Sequence, residues 1–241
     1  MFDHVTIRVS DREASQRFYE TVLSAIGIEK TFSDDYFAEW DDWGLKEPEG
    51  KSLTRRLHVA FPAASRAKVD EFWRAGVAAG YRSDGEPGPR PEYGPDYYGG
   101  FLLDPDGLSA EAVHYSGSLR DDGTVDHLWI RVADVAASRR FYELVAPFGG
   151  FEQRLDSPER AMFAGGTGSF SVVAGESTQG VHMAFPADEN ATVDAFHAAL
   201  TEAGYRDEGP PGERAIYHPG YYGAYVLDPD GNSVEIVNHN R

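Results

Sequence analysis

The segment DHVTIRVSDREASQRFYE at residues 3–20 returns as DHLWIRVADVAASRRFYE at residues 126–143. LHVAFPA at 57–63 returns as VHMAFPA at 181–187, and YYGGFLLDPDGLSAEAVHY at 97–115 returns as YYGAYVLDPDGNSVEIVNH at 221–239. A near-constant offset along almost the whole chain means that one fold has been written twice, and this restricts the architecture before any element is assigned. The copies meet in the polar, glycine-containing stretch SGSLRDDGT. The sequence therefore divides into a first domain at 1–117, a linker at 118–123 and a second domain at 124–241.

Each copy divides again. His4 and His58 both open a strand pattern that runs into a helix pattern. The first helix is expected to start after the N-cap Asp11, to bury Phe18, Val22 and Ile26, and to stop at Gly27. The second is expected to start after Ser65, to turn Val69, Phe72, Trp73 and Val77 inward, and to stop at Gly80. Short strands follow, around 28–32, 36–40 and 42–47 in one case and around 81–83, 98–103 and 109–115 in the other. The result is an α+β chain of four βαβββ modules. In LDPDG, the order Asp, Pro, then Gly at the fourth position spells a type I turn. Turn chemistry does not explain the glutamate that follows it in both copies, Glu111 and Glu235.

Alternation along the strands locates those glutamates. Val5, Ile7 and Val9 form one face of the opening strand and His4 lies on the other; Leu57, Val59 and Phe61 oppose His58. His127 and His182 stand in the same relation to their strands, and Ala110 and Ala112 oppose Glu111 as Val234 and Ile236 oppose Glu235. Helices must cover the apolar faces, so His, His and Glu remain on the concave face. A single histidine on a strand is ordinarily a polar surface residue. Two imidazoles and a carboxylate repeated at matched places suit a divalent ion such as Fe(II), Zn, Ni, Co or Mn, with positions left open for water or substrate.

Composition narrows the function classes. The net charge of −18 repels phosphate backbones, which argues against nucleic-acid and anionic-membrane partners. The chain has no cysteine, which excludes thiolate metal sites and disulfides. No apolar run reaches the roughly 18–20 residues of a membrane span, and the chain opens on a strand pattern without a signal-peptide pattern, so the cytoplasm is the default location.

These motifs resemble the vicinal-oxygen-chelate superfamily, which holds glyoxalase I, bleomycin-resistance proteins and extradiol dioxygenases. The resemblance rests on DHVTIRVSDREASQRFYE, RLHVAF, LDPDGLSAEAV and their copies. It implies paired βαβββ modules curled into two glyoxalase-like half-barrel domains. Carried over by position, it implies His4, His58 and Glu111 as one ligand set and His127, His182 and Glu235 as the other. Modules pair either within each half or across the halves, and a homodimer would bury exposed sheet edges.

The family scaffold hosts several chemistries. The resemblance implies a metal-dependent lyase or isomerase acting on a small substrate with two adjacent oxygens, in which Glu39 or Glu47 would be the fourth ligand and proton carrier. A second reading is an Fe(II) ring-cleaving dioxygenase in the second half, where YHPGYYGAYVLDPDG matches His218 to an acid–base histidine and Tyr225 to a hydrogen-bonding tyrosine; the first half has Gly94 and Phe101 there. A third is a non-catalytic bleomycin-resistance-type drug binder, consistent with the acidic surface and with Trp40, Trp43, Tyr97 and Tyr98. Arg8 and Arg131, on the ligand face, would clamp a substrate carboxylate or pair with an acidic neighbour. His114, His197 and His239 have no persuasive spacing, and His197 is expected to be exposed.

Overall fold

A computed structural model describes residues 1–119 and 123–241; residues 120–122 of the sequence-derived linker lie outside the described residues. The order strand, helix, three strands occurs four times. The modules are β1 (His4–Arg8), α1 (Arg12–Ala25), β2 (Phe32–Ser33), β3 (Phe37–Trp40) and β4 (Trp43–Lys46); then β5 (Leu57–Pro62), α2 (Arg66–Ala78), β6 (Arg82–Pro89), β7 (Tyr98–Leu103) and β8 (Ser109–His114). The second copy has β9 (His127–Val132), α3 (Val135–Gly149), β10 (Glu152–Asp156), β11 (Arg160–Ala164) and β12 (Ser169–Ala174); then β13 (His182–Pro186), α4 (Asn190–Glu202), β14 (Asp207–Glu213), β15 (Tyr222–Leu227) and β16 (Ser233–Asn238).

The helix starts follow the sequence signals. Asp11 accepts from the Ala14 N–H at 2.9 Å and Ser65 accepts from the Lys68 N–H at 3.2 Å. Gly27 and Gly80 end the helices in the left-handed region, at φ +85° and +89°. Three expectations need correction. The strand expected around 28–32 shrinks to Phe32–Ser33, because Ile28 still donates to the Leu23 carbonyl at 3.0 Å in the helix cap. Val77 is 40% exposed, because the inward place next to it belongs to Gly76, where a side chain would collide with Leu102. The strand expected around 81–83 extends to Pro89, with irregular register at its glycines and prolines.

Contacts divide the chain into two compact units that are offset from the sequence repeat. The N unit is Ile7–Trp129, and the C unit is Met1–Thr6 with Ile130–Arg241. The offset arises at the opening strand of each copy: the first residues of β1 belong to the C unit and those of β9 to the N unit. In the C unit the strand order is β14-β15-β16-β13-β1, and in the N unit β6-β7-β8-β5-β9. β13 is antiparallel to β1 and parallel to β16, which puts His4, Ala184 and Glu235 in one row across three strands. β5 is parallel to β8 with Ala60 beside Glu111, and the Asp126 N–H donates to the Ala60 carbonyl at 2.8 Å.

The LDPDG turns tie each unit together. Asp104 Oδ1 accepts the N–H groups of Asp106 and Leu108 at 2.9 and 2.8 Å, and Oδ2 accepts from the Tyr19 hydroxyl of α1 at 3.4 Å. Asp228 repeats this with Asp230, Asn232 and Tyr142. Burial, with the charge of the neighbouring Asp106 or Asp230 adding to it, pushes both carboxyls up to about 6 despite these bonds. A raised folded-state value means that the folded chain holds more protons between pH ~4 and ~6. Stability therefore falls as pH rises through that window and levels off above it. Asp228→Asn keeps an oxygen for both N–H groups, so urea unfolding at pH 4.5 and 7.5 should show the variant gaining about 2 kcal/mol on the wild type across the interval.

Candidate metal centre

In the C unit the imidazoles of His4 and His182 and the carboxylate of Glu235 converge. His4 Nε2 lies 3.1 Å from His182 Nε2 and 3.7 Å from Glu235 Oε2, and His182 Nε2 lies 3.1 Å from the same oxygen. In the N unit His58 Nε2 and His127 Nε2 lie 3.1 and 3.7 Å from Glu111 Oε2. The sets are thus His4/His182/Glu235 and His58/Glu111/His127, which corrects the grouping carried over by position. The reason is topological: the opening strand of each copy pairs with the second module of the other copy, β1 with β13 and β9 with β5.

The small side chains of Ala60 and Ala184, both fully buried, occupy the sheet between the converging ligands. Glu111 and Glu235 are almost wholly buried, whereas His4 keeps a quarter of its side chain exposed. Each glutamate is held by a tyrosine, with Tyr97 donating to Glu111 Oε1 and Tyr221 to Glu235 Oε1, both at 2.8 Å. Burial, then the charge of the glutamate, pushes both phenols well above their ordinary value, so they stay protonated donors. The far side of every imidazole is also held. His4 Nδ1 donates to Asp3 Oδ1 and His127 Nδ1 to Asp126 Oδ1, both at 2.7 Å, and the Nδ1 atoms of His58 and His182 meet Ser109 and Ser233 hydroxyls at 3.1 and 2.9 Å. Burial alone would raise Asp3, but the hydrogen bond and charge of His4 and the charge and hydrogen bond of His239 outweigh it and keep the carboxyl below its ordinary value.

This donor set fits a divalent cation. A carboxylate accepts and never donates, so Asp3 and Asp126 fix their histidines with the lone pair on Nε2, facing the glutamate. Ligand atoms around one ion at bond lengths of about 2.0–2.2 Å lie about 3.0–3.4 Å apart, close to the separations observed. Lone pairs crowded this closely repel one another unless a proton or a cation lies among them.

The Glyoxalase/Bleomycin resistance protein/Dioxygenase superfamily model matches residues 1–112 and 124–236. The chain belongs to this superfamily. Glyoxalase I from Zea mays is 19% identical and superposes with a TM-score of 0.69, over 99% of this chain and 92% of that one. A putative dioxygenase from Bacillus subtilis is 13% identical with a TM-score of 0.66, over 100% of this chain and 85% of that one. At these identities the likeness is one of fold. No curated protein matches. No helix among the described residues is long and apolar enough to cross a membrane.

Within this superfamily fold the other sequence-derived residues fall unevenly. Tyr225 packs on His182 with ring centroids 6.0 Å apart, and burial and the charge of Glu235 push its phenol well above the ordinary value. Phe101 takes that place beside His58. His218 touches His239 and the Pro219 carbonyl, outside the ligand set. Glu39 is half-buried on β3 opposite Gly44, and Glu47 is exposed beyond β4; neither joins a ligand group among the described residues. Arg8 is buried and Arg131 exposed. His197 is half-buried rather than exposed, with Nε2 2.9 Å from Asp207.

Sequence reading missed the outer partners. Their signal was present: the clustered histidine of each opening strand follows an aspartate, in Asp3-His4 and Asp126-His127. It also missed Gly99 and Gly223, where a Cβ would strike the Glu111 and Glu235 carboxylates. Gly223→Ala should therefore displace the Glu235 carboxylate without unfolding the chain. Metal titration is expected to lose uptake at His4/His182/Glu235 while circular dichroism is unchanged.

Proposed function

We propose that this chain is a divalent-metal-dependent enzyme with two metal positions, His4/His182/Glu235 and His58/Glu111/His127, that engages a small substrate through two adjacent oxygens. The observation that carries this reading is the convergence of two Nε2 atoms and one carboxylate in each unit, with each far Nδ1 already bonded. A divalent ion held there would supply Lewis acidity to both substrate oxygens. The protein's part is to fix the ligands: Tyr221 takes up Glu235 Oε1 and so leaves Oε2 to the ion, and Asp3 and Ser233 set the ring orientations.

The C unit is the better candidate for the chemistry. Tyr225, beside His182, would donate a hydrogen bond to a substrate oxygen, a group that Phe101 cannot supply in the N unit. A donor of this kind also suits the second reading, Fe(II)-dependent ring cleavage of a catechol. The test is elemental analysis of anaerobically purified protein, followed by an oxygen electrode with catechols and an isomerisation assay with thiol conjugates. Oxygen uptake with Fe(II) selects the dioxygenase; isomerisation with Ni, Co or Zn selects the glyoxalase-type reaction. Protein that carries no metal and takes up none would defeat both.

A further inference from the structure

The two metal positions differ in the side chains that flank their histidines. In the N unit Trp129 follows His127 by two residues on β9 and so shares its face, away from the fully buried Leu128 and Ile130. The Trp129 ring lies 6.3 Å from that of His58, centroid to centroid. Phe101, from β7 on the opposite side of β5, lies 6.0 Å from the same imidazole. Tyr93 packs on Trp129 at 5.7 Å and on Tyr97 at 5.2 Å. Tyr93 is 48% exposed, and Trp129 and Phe101 are half-buried, so these rings keep open surface beside the ligand set. In the C unit Thr6 stands at the place of Trp129, paired with His182 across the strands, and Tyr225 at the place of Phe101.

Packing within the unit does not account for the indole. Leu128 and Ile130 fill the core from the other face of β9, whereas Trp129 stands on the face of the ligands. An open ring surface gains from burial against another ring, both by the area removed from water and by the edge-to-face or offset contact itself. Thr6 offers a small side chain with a hydroxyl instead, and Tyr225 adds a hydroxyl to the ring that Phe101 presents without one. The sign of the ligand's charge is also constrained. The Arg90 guanidinium lies over the Phe101 ring at 5.3 Å and that of Arg214 over Tyr225 at 5.6 Å. A cation already placed over the ring disfavours a cationic group beside it, and it does so in both units.

We propose that the two positions take different ligands: the N-unit position a chelator whose two adjacent oxygens carry an uncharged aromatic group, seated against Trp129 and Phe101, and the C-unit position a smaller or more polar chelator. The inference rests on the metal-binding reading above. Both rings contact His58 itself, so a group carried directly on metal-bound oxygens reaches them without a long spacer. Trp129 and Phe101 set specificity and supply no atom to the ion. The phenol of Tyr225 stays with the chemistry assigned to the C unit, and the N unit gains a ligand preference of its own.

The test isolates each position. Glu111→Ala leaves the C-unit position alone and Glu235→Ala leaves the N-unit position alone. Each protein is loaded with Co(II) and titrated with acetohydroxamate and with benzohydroxamate, which present the same two adjacent oxygens on a methyl and on a phenyl group; the Co(II) absorption bands report binding. The preference for the phenyl compound should be about tenfold greater at the N-unit position than at the C-unit position, the size of a good ring–ring contact. Comparing the two preferences cancels the intrinsic difference between the hydroxamates. In the Glu235→Ala background, Trp129→Thr, which copies Thr6, should bring the preference down to the C-unit value, and Trp129→Phe, which keeps a ring, should retain most of it. A merely structural role for Trp129 predicts that Trp129→Thr weakens both hydroxamates alike. Equal preferences at the two positions, or a Trp129→Thr variant with the preference unchanged, would each overturn this inference and leave the metal-binding reading standing. Co(II) uptake with neither hydroxamate bound would overturn it together with the engagement of two oxygens, and absence of Co(II) uptake at both positions would overturn the metal-binding reading itself.

Discussion

Alanine at Glu235 is expected to empty the metal position of the C unit and leave that of the N unit filled. Glu235 is 1% exposed and supplies the only anionic donor of its set, so the variant leaves two neutral imidazoles facing each other. Loss of an outer partner typically costs about 10- to 100-fold in metal affinity, and loss of the charged ligand itself should exceed that. Elemental analysis should fall from two ions per chain to one. The fold should persist, because Glu235 serves the sheet through its backbone and because its removal relieves the crowding of carboxylate and imidazoles. If Glu111→Ala and Glu235→Ala each lower the count by one, the positions are independent.

Phe170→Ala is expected to cost about 3–5 kcal/mol of stability, among the larger losses for a core truncation. Phe170 is fully buried, and its ring centroid lies 4.8 Å from Tyr142, 5.1 Å from Phe163 and 5.4 Å from Phe151. Phe2 also packs on Phe170 and Phe185, at 6.4 and 5.6 Å, and that packing anchors the segment leading into His4. The variant should therefore lose more Co(II) affinity at His4/His182/Glu235 than at His58/Glu111/His127. Urea unfolding and the two metal affinities check the two halves of this prediction.

Most of the fold was legible because the sequence states it four times. A polar residue at the start of an apolar strand, an N-cap, a helix stripe and a glycine stop are local signals, and they placed the helices and the ligand-bearing strands. The six converging residues were legible for the same reason: alternation fixes a side chain's face from its neighbours alone. Their grouping was not. Which strand lies beside β1 depends on pairing between distant segments, and β13 and β5 open with nearly the same residues, so the sequence of β1 does not distinguish them. The hydrogen bonds that run from His4 through Asp3 and His239 to His218 were hidden for a related reason. Asp3, His218 and His239 come from separate segments of the chain, and no local pattern marks them as neighbours. The two-residue β2 escaped because the cap of α1 consumes the residues that read as strand.

The most direct measurement is the metal content of two double variants purified alike. His4→Ala with His182→Ala removes two ligands from one set, whereas His4→Ala with His58→Ala removes one ligand from each. The crosswise grouping predicts about one ion per chain in the first variant and close to none in the second. About one ion in the His4/His58 variant and close to none in the His4/His182 variant would mean that each set is built within one copy of the repeat, and would contradict the account.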